Sequence, residues 1–347
     1  MLSFLFFISS GLFLGWSLGA NDASNVFGTA VGTRMIRFYV AAAVCSLFVL
    51  LGAVFGGSGA AGTITKLGQI NSLGAAFSVS LAAALSVILM TKANLPVSTS
   101  QALIGGIIGW NLFAGLPTDA GMVGKVVVTW VSSPFLAAIM AMLLYFLFKV
   151  FWGRLKIHIL RLDMATRTSL LLAGAFGSYS LGANNIGNVV GVFVDAVPFK
   201  PFDLGPMTVM PAQQLFFLGG LAVSAGVFTY SRRVMETVGT GLLELSPPAA
   251  FIAVFSHSIV LFLFSSEALK QWLVARNLPS FPLVPVSSSQ AIIGAVIGIG
   301  FAKNGGRNIN YRILLKIFLG WVATPAIALV LSFVTLFLMD RMFLHLL

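Results

Sequence analysis

The sequence has 347 residues, 58% hydrophobic and only 8% charged, with a mean hydropathy of +1.00; soluble domains carry about 25% charged residues, so a water-soluble globular protein is excluded. With 20 Lys+Arg and 9 Asp+Glu for a chain of this size, most of the outer surface must face lipid, and the net charge of +11 points to basic cytoplasmic loops instead of a nucleic-acid partner. The single cysteine, Cys45, lies in an apolar stretch, which leaves neither a disulfide framework nor a thiolate metal site.

Apolar segments follow one another almost end to end, at 2–18, 38–55, 73–90, 103–113, 123–151, 169–181, 215–230, 249–269, 291–301 and 313–339, and predict ten to twelve membrane passes. The first of them lacks a positive n-region and runs into a polar motif at Gly19, so a retained helix is expected there and not a secretory signal. That motif, Leu18 to Gly32, reads LGANDASNVFGTAVG and places Asn21, Asp22, Ser24 and Asn25 at membrane depth. Asn21, Asn25, Gly28 and Gly32 share one helical face, where small residues allow close packing and amide oxygens could converge on a small cation. Asp22 makes the motif a functional candidate, because an ionisable group inside a membrane segment is costly.

Farther along, Pro96 and Val97 precede Ser98, Thr99, Ser100 and Gln101 at the head of a glycine-containing apolar run. Proline and hydroxyls mark a helix start, and a helix start inside a membrane presents free N–H donors and partial positive charge to an anion. Lys125, Trp130 and Pro134 follow, with Trp130 read as an interface anchor. Lys149, Arg154, Lys156, Arg161 and Arg167 cluster in a polar interruption at 149–168, which the positive-inside rule makes a cytoplasmic connection between a first half, 1–148, and a second, 169–347.

The second half repeats the first. Leu181 to Asp195 reads LGANNIGNVVGVFVD, identical to the first motif at 8 of 15 positions, and carries Asn184, Asn185 and Asn188. Residues 284–298, with Pro285, Val286, Ser287, Ser288, Ser289 and Gln290, match 95–109 at 10 of 15 positions. Lys316, Trp321 and Pro325 echo the third set, Trp321 again as an anchor. The offset between halves grows from 163 to 189 residues, which places an insertion of about 26 residues in the second half. An odd number of crossings per half would invert the halves relative to one another; an even number would leave them parallel. Outside the repeats, Glu236 with Arg232 and Arg233 reads as an ion pair at a helix end or a gating group, and His257 as a helix-packing hydrogen bond or a proton-transfer group.

The GANDASN and GANNIGN segments, the two PVS[TS]SQ segments and the stretch Arg233 to Gly239 resemble the inorganic phosphate transporter family, which includes bacterial sulfate permeases. The resemblance covers nearly the whole chain. It implies an all-α polytopic membrane protein of two inverted repeats with re-entrant half-helices, forming homodimers in the cytoplasmic membrane and importing an anion with sodium or protons. It implies a coupling-cation role for Asn21, Asp22, Asn25, Asn184, Asn185 and Asn188, with sodium held there if sodium is the driving ion. It implies anion contacts for Ser98, Thr99, Ser100, Ser287, Ser288 and Ser289, joined by Gln101 and Gln290. The family's phosphate members usually carry aspartate in both asparagine motifs and histidine after each hydroxyl triplet, where this chain has Asn185, Gln101 and Gln290. Phosphate has P–OH donors at neutral pH and sulfate has acceptors only, so a phosphate site needs an acceptor such as Asp22 or a glutamine oxygen. The expected function is phosphate uptake by cation symport, with sulfate permeation and a passive anion channel as alternatives. Neither an enzyme nor an organic cofactor is expected.

Overall fold

The computed structural model describes residues 2–68, 70, 72–93, 95–152, 158–205, 207–241, 243, 245–307 and 309–342. Among them are thirteen α-helices: α1 (Leu2–Gly32), α2 (Phe38–Gly56), α3 (Ser58–Gly68), α4 (Leu73–Lys92), α5 (Thr99–Ala114), α6 (Ala120–Trp152), α7 (Ile159–Val190), α8 (Pro211–Thr229), α9 (Ser231–Gly241), α10 (Pro247–Ser265), α11 (Glu267–Val274), α12 (Ser288–Asn304) and α13 (Tyr311–Met342). The all-α expectation holds; the strands among the described residues are a short antiparallel hairpin, β1 (Phe202–Leu204) and β2 (Met207–Val209), in a connection. Seven helices are long and apolar enough to span a bilayer: α1, α2, α4, α6, α8, α10 and α13. α7 is 32 residues long but carries the polar asparagine motif, and α5 and α12, at 16 and 17 residues, start in the interior.

Element lengths repeat in order: α2 and α8 are both 19 residues, α3 and α9 both 11. The extra residues of the second half fall in two places. One is the α7–α8 connection, where a 3-10 helix and the hairpin occupy what residues 33–37 cover in the first half; the other is α11 and the extended chain after it. The expected single helix 249–269 is accordingly broken at Ser266, whose side chain caps α11 by accepting from Leu269 N.

Two expectations about helix ends are corrected. The first and sixth apolar segments do not stop before their asparagine motifs: α1 and α7 run through them, because each motif lacks proline and its polar side chains bond back along the helix, as Ser24 Oγ does to Asn21 O. The basic interruption is shorter than expected, since Lys149 lies on α6 and Arg161 and Arg167 on α7; Arg154 and Lys156 lie outside the described residues.

Packing is crossed between halves. α2 lies along α7 and α8 along α1, with backbone so close that a Cβ at Gly52 would strike the Tyr179 carbonyl and one at Gly19 that of Val223. Along α1 and α7, Gly15 sits on Val189 and Gly174 on Phe27, with Gly11 on Phe193 just past the end of α7, so the two equivalent helices run antiparallel. The outer faces of α6 and α13 expose Ile139, Leu143, Val330 and Val334 and suit lipid.

Candidate functional site

Both hydroxyl triplets sit at buried helix starts. Proline keeps the residue before it out of the α region, and the chain through Pro96–Val97 and Pro285–Val286 stays outside the helices up to Ser98 and Ser287, whose backbone is extended. Ser98 then accepts Gln101 N at 3.3 Å to cap α5, and Ser287 accepts Gln290 N at 3.2 Å to cap α12, each cap contributing about 1 kcal/mol. The flanking hydroxyls pair, Ser98 with Ser100 at 2.9 Å and Ser287 with Ser289 at 3.2 Å. All six hydroxyl residues are buried. The remaining N–H groups of the two first turns are unpaired by geometry, as at any helix start.

Glycines set how deep these half-helices lie. A Cβ at Gly105 of α5 would overlap the Pro325 backbone on α13, and one at Gly294 of α12 the Pro134 backbone on α6. The third repeated set thus acquires a role: Pro134 and Pro325 sit inside long helices and form the floor on which α12 and α5 rest. Trp130 and Trp321, expected as interface anchors, instead line a cavity of about 400 Å³ between these helices together with Gln101 and Gln290. The Oε1 atoms of both glutamines and the Nε1 atoms of both tryptophans lack partners there.

The helices that carry the asparagine motifs touch the capped helices of the opposite half, α1 against α12 and α7 against α5. Asn25 donates from Nδ2 to Ser288 Oγ at 3.1 Å, and Asn21 donates to Thr91 Oγ1 on α4 at 2.8 Å. The oxygens Asn21 Oδ1, Asp22 Oδ1 and Asn25 Oδ1 are buried without partners. Oxygens of this kind, one of them from a carboxylate, make a donor set that fits a hard cation such as sodium. In the second half the amides are occupied. Asn184 Oδ1 accepts Val286 N at 2.9 Å and so holds the extended lead into α12; Asn185 Nδ2 donates to Leu181 O at 3.2 Å, while its Oδ1 accepts from Asn188 Nδ2 at 2.9 Å. Only Asn188 Oδ1 is left without a partner among those three side chains. The two motifs, alike in sequence, are therefore unlike in what they leave open.

His257 is a site residue that motif reading did not place. It is fully buried on α10, and its Nε2 lies 2.9 Å from the same Ser288 Oγ that Asn25 reaches. A further repeat in the sequence could have located it: Ala75-Ala76-Phe77 and Ala249-Ala250-Phe251 align α4 with α10 and put Ala83 where α10 carries His257. Ser288 is thus held from two sides, whereas Thr99, its counterpart, keeps a buried Oγ1 without a partner. Glu236 takes no part here; it pairs with Arg232 at 3.1 Å, four residues away on the surface of α9.

A family model described as the Phosphate transporter family matches residues 18–166, 158–270 and 272–346. A Thermococcus kodakarensis protein, provisionally named a phosphate permease, is 27% identical over 93% of this chain and 94% of its own length. The sulfate permease of Bacillus subtilis is 27% identical over 94% of this chain and 86% of its own length. The solved structure of a sodium-dependent phosphate transporter matches with a TM-score of 0.80 at 24% identity, covering 99% of this chain and 100% of that one, an identity at which the likeness speaks to the fold.

Proposed function

The chain belongs to the phosphate transporter family, as a multi-pass membrane protein and not an enzyme, and from that premise we propose that it imports inorganic phosphate across the cytoplasmic membrane by symport with sodium. The observation that carries this reading is the placement of the unpartnered oxygens of Asn21, Asp22 and Asn25 beside a buried helix start, with Asn25 bonded to Ser288 of the other half. A negative charge on Asp22 repels an anion held at the neighbouring hydroxyls. A cation among the three oxygens cancels that repulsion, so each ion raises the other's affinity by the same factor. The anion is held by the hydroxyls of residues 98–100 and 287–289 and by the first-turn N–H groups of α5 and α12. The halves are inverted, with the 149–168 connection cytoplasmic, and rock about the site; the antiparallel contacts of α1 and α7 support that relation.

Sulfate is the second reading, favoured by the amides that stand at Gln101, Gln290 and Asn185 and by the Bacillus subtilis relative. Uptake of labelled phosphate into proteoliposomes is expected to run against its gradient when sodium is supplied outside, and a tenfold excess of sulfate is expected to leave it intact. Block by sulfate assigns the site to sulfate. Equilibration without accumulation assigns it to a passive channel.

Replacing His257 with alanine removes one of the two bonds that orient Ser288. One net hydrogen bond is worth about 1 kcal/mol, so the anion KM is expected to rise about fivefold. His257→Gln, which keeps a polar group able to reach Ser288, should recover most of that loss. An unchanged KM in the alanine variant removes His257 from the site.

A further inference from the structure

Away from the hydroxyls and asparagines, the turn joining α1 to α2 and the start of α9 enclose a cavity of about 500 Å³ whose lining includes Arg34, Arg37, Phe38, Tyr39, Arg232 and Glu236. Three guanidinium groups face one carboxylate. Arg232 gives its Nε–H to Glu236 at 3.1 Å and lies over the Phe38 ring at 5.8 Å, which leaves the N–H groups of its two terminal nitrogens unspent on that pair. Arg34 and Arg37 form no ion pair among the described residues. The cavity therefore has a surplus of positive charge with donors to spare.

The turn that presents these arginines is tied down. Arg34 has φ of 59°, a left-handed residue of the kind that closes helices, and the turn is sealed by Arg34 N to Val31 O at 2.9 Å and Ile36 N to Ala30 O at 3.1 Å. From α7, Arg167 donates to Met35 O at 2.7 Å while paired with Asp163 at 2.8 Å, so it braces the turn and is not itself available.

The position of the cavity identifies its occupant. α2 is a membrane span whose first residues are Phe38 and Tyr39, and Tyr39 is 71% exposed; aromatic residues at a span's end mark the headgroup level. Below them, Val40 and Leu47 stand exposed on one face of α2, an apolar track leading from the arginines toward the hydrocarbon. A free anion would need the first feature only, whereas a phospholipid uses both. We propose that this cavity binds the phosphate of an anionic phospholipid between Arg34, Arg37 and Arg232, with an acyl chain along α2. The lipid joins the end of α1, which carries the asparagine motif, to the start of α9.

The protein in nanodiscs of phosphatidylcholine, with and without one fifth phosphatidylglycerol, tests this by lipid retention in native mass spectrometry and by melting temperature. The variant Arg34→Gly with Arg37→Gln removes both charges while glycine keeps the left-handed turn. Phosphatidylglycerol retention is expected to fall on the order of 30-fold in that variant. It is expected to stay unchanged in a Lys270→Gln, Arg276→Gln control of equal charge. Equal retention in variant and control overturns the proposal, provided that the two melt alike in phosphatidylcholine alone; if they do not, Arg37→Gln by itself is compared. Stabilisation of the phosphatidylcholine sample by inorganic phosphate, lost in the arginine variant, would assign the cavity to a free anion and overturn the lipid.

Discussion

Asp22→Asn is expected to abolish cation-driven uptake while leaving the fold intact. The substitution preserves size and shape, so the packing of α1 against its neighbours is undisturbed, and an amide is easier to bury than a carboxylate. What is lost is the only charge among the three unpartnered oxygens of Asn21, Asp22 and Asn25. Contacts to a charged group are worth about 1.5–3 kcal/mol, so cation affinity should fall about 10- to 150-fold, and uptake at low sodium should drop to background. The measurement is the sodium concentration giving half-maximal phosphate uptake in proteoliposomes, with the melting temperature as the check on folding. Should protons drive the cycle, the same variant loses its pH dependence instead. Retention of the wild-type response to both ions would sink the coupling role of Asp22.

The second large effect comes from a residue that touches no ion. At Gly294 an added Cβ would overlap the Pro134 backbone, and backbone on a packed helix cannot give way as a flexible side chain does. Overpacking of this kind costs about 1–3 kcal/mol, and here the strain is relieved only by lifting α12 and its capped start away from α6. Gly294→Ala is therefore expected to lower the melting temperature and to cut uptake about tenfold or more, with Gly105→Ala acting alike through Pro325. Gly62→Ala and Gly124→Ala are the controls, since nothing lies within 4 Å of a Cβ at either position. In those helices alanine should stabilise by roughly 0.5–1 kcal/mol. Equal behaviour of Gly294→Ala and the controls would show that α12 does not rest on Pro134.

Much of the architecture was legible because membrane embedding leaves strong traces in a sequence. Long apolar runs located the spans, and the capped starts of α5 and α12 followed from Pro96–Ser98 and Pro285–Ser287, where a missing N–H and a hydroxyl leave few other conformations. Less legible were the short helices α3 and α9, with 11 residues each, and α11 and the hairpin, which have neither length nor a sustained period to announce them. The ends of α1 and α7 were also hidden. The asparagines share a helical face in the sequence, but an apolar run ends where polar residues begin, and the partners that let α1 and α7 continue, Thr91, Ser288 and Val286, are 70 or more residues away.

By itself the sequence determined that the chain is a duplicated membrane protein with two hydroxyl-bearing helix starts and two asparagine motifs, since composition and repetition are properties of the chain alone. Only the tertiary structure decided that Asn25 reaches Ser288 of the other half while Asn184 holds the lead into α12 of its own, that Asn184 and Asn185 are occupied while Asn21, Asp22 and Asn25 keep free oxygens, and that His257 reaches Ser288. A side chain's capacity to bind an ion depends on which lone pairs its neighbours leave unused, and those neighbours are brought together by helix packing and not by sequence distance.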